Sequence, residues 1–246
     1  MAAAVLALPA GLPAQAPEPP VSDSRLGVDT LVREDVFAGF QQNDLARLAR
    51  AEKNIELLIE SRRMDRASLL AWQGASALTR AVHASEKNAS QEFSRHYRRA
   101  IDLFAEAMRD GADVAAVFAI VGGANASLAE RLPAVERKAA WEQGYGAYAQ
   151  LFRLQSAILS KLPLHHRGEL LSGLAQSAQR SGRVVEAVGY LDQILESLPG
   201  TPYAAAAREW KDEPAARSKG NLTCRTCHTP GTLAVRMAEV ANTPSR

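Results

Sequence analysis

From about Thr30 to Trp210, apolar residues recur at three- and four-residue steps in almost every window of the chain. That spacing lines apolar side chains along one face of an α-helix, whose turn takes 3.6 residues. No stretch alternates apolar and polar residues with β-branched enrichment, so no sheet is expected and the fold class is all-α. Phe93, Tyr97, Ala100, Ile101, Phe104 and Met108 form one such stripe, and Gly111 is placed to end that helix. Asp65 is placed to cap a helix whose apolar side includes Leu69, Leu70, Trp72, Ala77, Leu78 and Ala81. Pro133 suits the first turn of a long helix. Its apolar line runs through Trp141, Tyr145, Tyr148, Leu151, Leu154 and Ile158, and Pro163 closes it. Thr201-Pro202 starts a short helix ending near Trp210.

One stretch carries a further regularity. Leu171-x2-Leu174-Ala175-x2-Ala178 precedes a turn at Ser181-Gly182, and Ala187-x3-Leu191, Ile194-Leu195 and Pro199 follow. This spacing resembles a tetratricopeptide repeat, with Leu171, Ala175, Ala178 and Leu191 in place of that family's Trp, Gly, Tyr and Phe. A weaker match pairs Trp72-Gln73-Gly74 with Ala100-x3-Phe104, across a turn expected to be long, Val82 to Ser90. Ala100 and Ala187 are not separated by whole 34-residue units, so the array is irregular. The resemblance implies an antiparallel helix-pair solenoid over residues 29–210, whose concave face binds protein.

The ends differ in character. Met1 to Pro17 is uncharged, and its apolar run ends at Ala14-Gln15-Ala16. This reads as a signal peptide over residues 1–16, although no Lys or Arg precedes the run; the bland alternative is an Ala/Pro-rich tail. Residues 17–28 and 211–220 read as linkers, and residues 221–246 as a tail. No other segment is long and apolar enough to span a bilayer. A net charge of +2 without a basic stripe argues against nucleic acid as a partner.

The chain's two cysteines sit together, in Cys224-Arg-Thr-Cys227-His228. This motif resembles the haem-attachment site of c-type cytochromes. The resemblance implies one covalent haem c, with thioethers from Cys224 and Cys227 and His228 as axial iron ligand. Attachment of that kind takes place outside the cytoplasm, which implies a periplasmic or secreted protein. Three other uses of the motif stay open: part of a zinc site, a redox dithiol, or a local disulfide.

The 18 residues after His228 are too few to bury a haem, so the helical region or a partner must supply the pocket. Met237 is the nearest candidate for the sixth ligand. On a continuous helix it would lie ~13 Å along the axis from His228, so a reversal at Pro230-Gly231 is required. His83, His96, His165 and His166 are further candidates, whose ordinary reading is surface or helix-cap residues.

Gly122-Gly123 is expected to let two helices approach closely, and Arg62-Arg63 and Arg98-Arg99 to be solvated. No catalytic constellation can be assembled, and the chain does not read as an enzyme. The expected function is electron transfer, or docking of a redox partner through the repeats. The alternative is a non-redox interaction scaffold whose motif binds zinc or forms a disulfide.

Overall fold

The computed structural model describes residues 32–61, 65–213 and 222. The expected signal peptide, the first linker and Arg62-Arg63 lie outside the described residues. Among those described there are nine α-helices and no strand: α1 Glu34–Gln42, α2 Leu45–Ser61, α3 Arg66–Glu86, α4 Ser90–Asp110, α5 Ala115–Leu128, α6 Ala134–Gln155, α7 Leu164–Arg180, α8 Val184–Ser197 and α9 Pro202–Asp212. The chain is all-α, as its periodicity requires.

Local chemistry sets the boundaries. The Asp65 carboxylate accepts from the Ala67 and Ser68 amides, both at 3.2 Å, and starts α3. Thr201 caps α9 in the same way, accepting from the Ala204 amide at 3.3 Å. Three helix pairs are closed by a left-handed residue: Asn43 (φ 54°), Asn88 (φ 58°) and Gly182 (φ 85°). After Asn88 and Gly182 the next amide bonds back into the preceding helix, Ala89 to the Ala84 carbonyl at 2.9 Å and Arg183 to Ala178 at 2.8 Å.

Two boundaries differ from expectation. The turn between α3 and α4 is short, because α3 continues to Glu86 and only residues 87–89 reverse the chain. The polar residues there are the exposed end of a helix rather than a loop. The helix opened by Pro133 also stops before Pro163. It ends at Gln155, and a 3₁₀ segment, Ser156–Lys161, carries Ile158 out to solvent, 45 % exposed.

Each helix packs on its neighbour in sequence: α1 on α2, α3 on α4, α5 on α6, α7 on α8. The odd-numbered helices also meet one another, α1 with α3, α3 with α5, α5 with α7 and α7 with α9. Three of the even-numbered members, α4, α6 and α8, present a recurring buried triad. Ala100, Phe104 and Ala107 are the buried residues of α4, and Ala187, Leu191 and Ile194 those of α8. Gly144, Tyr148 and Leu151 occupy the same steps on α6. The first members of the triads lie 44 and 43 residues apart, at 100, 144 and 187, which replaces the 34-residue unit.

Glycines on the odd-numbered helices receive the rings. A Cβ on Gly74 would stand 2.6 Å from Phe104, and one on Gly122 2.9 Å from Tyr148. Tyr148 also presses on Gly173 of α7, where a Cβ would meet the ring at 2.3 Å. Close approach is therefore the role of Gly122, as expected. Among the described residues no helix is long and apolar enough to cross a membrane.

Candidate functional site: the α7 face that receives Leu222

Cys224, Cys227, His228 and Met237 lie outside the described residues. Leu222, two positions before Cys224, is described. Its side chain is 3 % exposed and belongs to the hydrophobic core. Its backbone N–H donates to Oε1 of Gln176 at 2.6 Å, across 46 residues of sequence.

The receiving helix explains why this seat exists. Leu170 to Ala178 are buried without a break, so α7 has no solvent face along this stretch. Helices α5, α6, α8 and α9 all pack against it. Ser172, Gln176, Gln179 and Arg180 nevertheless share one side, at steps of four, seven and eight. The two glutamines on that side need partners, because a buried amide left unpaired costs about 1–3 kcal/mol. Leu222 satisfies the Gln176 carbonyl. Gln179 accepts from the Trp210 indole N–H at 2.7 Å. The Arg180 guanidinium lies 6.0 Å from the Trp141 ring and 5.9 Å from the Trp210 ring, and 3.4 Å from Glu130. Burial of the Leu222 side chain adds about 2 kcal/mol to the hydrogen bond it accompanies.

A polar seam continues into α5 and α6. Asn125 donates to the Val121 carbonyl at 2.9 Å and to Gln143 at 3.1 Å. The Asn125 carbonyl oxygen and the hydroxyls of Ser172 and Ser177 are buried with no hydrogen-bond partner among the described residues. Gly144 makes room here, since a Cβ would lie 3.2 Å from Asn125 and 3.5 Å from the Ser177 hydroxyl.

The four candidate histidines fall in separate places. His165 and His166 sit in the first turn of α7, both exposed. His165 meets the Tyr203 hydroxyl through Nδ1 at 3.1 Å and Glu169 through Nε2 at 3.3 Å. His96 lies in a shallow groove with Glu52, Glu56, Gln73, Arg80 and Arg99. Burial, then the charges of Arg95 and Arg80, hold its imidazole below the ordinary value. His83 differs from its expected surface role. Both its ring nitrogens are buried without a partner among the described residues, because α3 is enclosed by its neighbours. Arg98 and Arg99 are exposed, as expected. Among the described residues no group of three or more His, Cys, Asp or Glu is placed to hold a metal ion.

Sequence reasoning missed Gln176 and Leu222. The one signal for them is a glutamine embedded in Leu170–Ala178, a run otherwise made of apolar and small residues. Comparison with protein-family models, curated proteins and solved structures finds no match to this chain.

Proposed function

We propose that this protein is a helix-pair repeat scaffold of tetratricopeptide-like organisation whose C-terminal tail carries one covalent c-type haem, and that it serves electron transfer with a protein partner docked on the repeats. The observation that carries the reading is the seat of Leu222 on α7. The seat holds Leu222, two positions before the motif, against α7, so the helical region stands beside the motif as one wall for a large planar cofactor. The donor set suits the group: two thiols three residues apart, with an imidazole next in sequence.

Cys224 and Cys227 would hold the haem covalently and His228 would face its iron. The bound group supplies a centre for one-electron exchange. The chain's part is to anchor, orient and partly bury it. Leu222 and Gln176 hold the approach to the motif, while α7 and the helices around it form a rigid floor. Met237 and the exposed pair His165-His166 are the sixth-ligand candidates consistent with this reading. The organisation of the array is supported by the recurring triads, the facing glycines and the contacts among odd-numbered helices. The apolar run over residues 1–16 supports a periplasmic or secreted location, where such attachment occurs. The role is that of a carrier and not of an enzyme.

Expression of the full chain with a c-type haem maturation system tests the proposal. The expected product keeps its Soret absorbance through denaturing electrophoresis, and Cys224→Ala with Cys227→Ala abolishes it. Absence of covalent haem under those conditions overturns the reading. Stoichiometric zinc in that haem-free product would mark the scaffold alternative.

A further inference from the structure

We propose that the α7 face is a docking site for the chain's own C-terminal segment, with Leu222 as the latch and Gln176 as its receiver. The inference deepens the haem reading by naming what occupies this face of α7, yet it holds whether or not the cysteines carry haem.

Three observations place the occupant. Leu222 is buried although α9 has already ended at Asp212, so the chain crosses nine residues and returns to the core. Its N–H meets a side-chain carbonyl that is itself 1 % exposed. The receiver lies within the nine-residue stretch of α7 that has no solvent-facing side. A glutamine in such a place is costly unless a donor reaches it, and the donor here comes from the tail. The seat therefore reads two properties of a peptide at once: a leucine side chain and a free backbone N–H beside it. Such a site recognises a leucine with its own backbone N–H free to donate, and in this molecule that leucine is supplied by the chain itself. A partner for this face of α7 must displace Leu222 or dock elsewhere on the array.

The latch is a few local contacts, so it can open without the array unfolding. Limited tryptic cleavage of the full chain, expressed without haem attachment, reads that opening. Arg217, Lys219 and Arg225 flank Leu222 and report on the segment. Cleavage that is slow relative to opening and closing tracks the open population. Gln176→Met keeps the volume and removes the acceptor, and is expected to speed cleavage at these sites about fivefold. Leu222→Ala removes the anchor, and is expected to speed it by roughly tenfold or more.

Thermal unfolding of the array, followed by circular dichroism, is the second readout. The latch requires faster tail cleavage with cleavage inside α3–α8 unchanged. If both variants instead speed cleavage throughout and unfold the helices together, Leu222 is only part of the core and the latch is wrong. If the parent tail is cut as fast as the Leu222→Ala tail, there is no latch either, and the haem proposal is left untouched. Protection of the tail here, together with no covalent haem when the chain is expressed with the maturation system, removes the haem reading alone.

Discussion

Helices α4 and α7 belong to different helix pairs and meet the core in opposite ways. Helix α4 fully buries three of its 21 residues, Ala100, Phe104 and Ala107, packs Phe93, Tyr97, Leu103 and Met108 partly against the core, and turns its other side to water. Helix α7 buries ten of its 17, including Ser172, Gln176 and Ser177. A helix held by one stripe depends on few side chains, and its sequence shows plainly which ones. A helix enclosed on every side has no contrast between faces, so its sequence hides which side matters. In α7 the hidden side is the one that receives Leu222.

Truncation of the α4 stripe is the most damaging way to test that contrast. Phe104 is fully buried and fills the space that Gly74 leaves open. Phe104→Ala is expected to cost about 3–5 kcal/mol, because a cavity is added to the lost burial. Thermal denaturation should show a midpoint lower by roughly 10 °C for a region of this size. A loss under about 1 kcal/mol would mean that α4 is not held by its triad.

The reverse substitution probes α7. Gly173→Ala places a methyl 2.3 Å from the Tyr148 ring, and the ring is already close to Gly122. Overpacking of this kind costs about 1–3 kcal/mol. Gly146→Ala, in the middle of α6 with nothing within 4 Å, is the control and should gain up to about 1 kcal/mol from helix propensity alone. Equal effects at the two positions would remove the argument that glycines set the helix spacing.

The same contrast decides how much of the molecule is legible in its sequence. The stripe Phe93, Tyr97, Ala100, Phe104 marks α4 by spacing alone, as Asp65 marks the start of α3. Pro163 misleads, because the backbone leaves the α-helix at Gln155 through a 3₁₀ segment, and nothing in Ser156–Lys161 opposes helix by propensity. The spacing of 44 and 43 residues is hidden because Gly144 and Leu191 stand where a repeat pattern expects other residues. The motif Cys224 to His228 is legible as chemistry only. The anchor at Leu222 pairs residues 46 apart, and such a contact leaves no local signature.

Acid provides a milder probe of the region farthest from α7. Asp35 of α1 is nearly buried and bonds Arg50 at 2.6 and 2.8 Å and Arg47 at 2.6 Å. Burial pushes its carboxyl up, but the hydrogen bonds and charges of Arg50 and Arg47 outweigh that and hold it below its ordinary value of 3.8. A depressed folded value means the contribution is complete above the unfolded value and disappears as pH falls through the folded one. Both guanidinium groups are a third or more exposed, so the contribution is about 1 kcal/mol. Asp35→Asn should therefore be less stable than the parent in urea titrations at about pH 7, with the gap closing as pH falls through the depressed folded value. A gap that persists at low pH would assign the loss to packing rather than to charge.

The smallest effect separates two kinds of polar group on α7. Gln176 has a partner in Leu222, whereas the Ser177 hydroxyl is buried with none among the described residues. A polar group in that position destabilises the folded state, and its removal relieves the cost. Ser177→Ala should gain about 0.5–1 kcal/mol, helped slightly by the better helix propensity of alanine. Urea unfolding of Ser177→Ala and Gln176→Met at one pH gives the comparison directly. If Ser177→Ala is destabilising, the hydroxyl has a partner in solution, and the polar seam of α5, α6 and α7 is a connected network rather than one matched group beside an unmatched one.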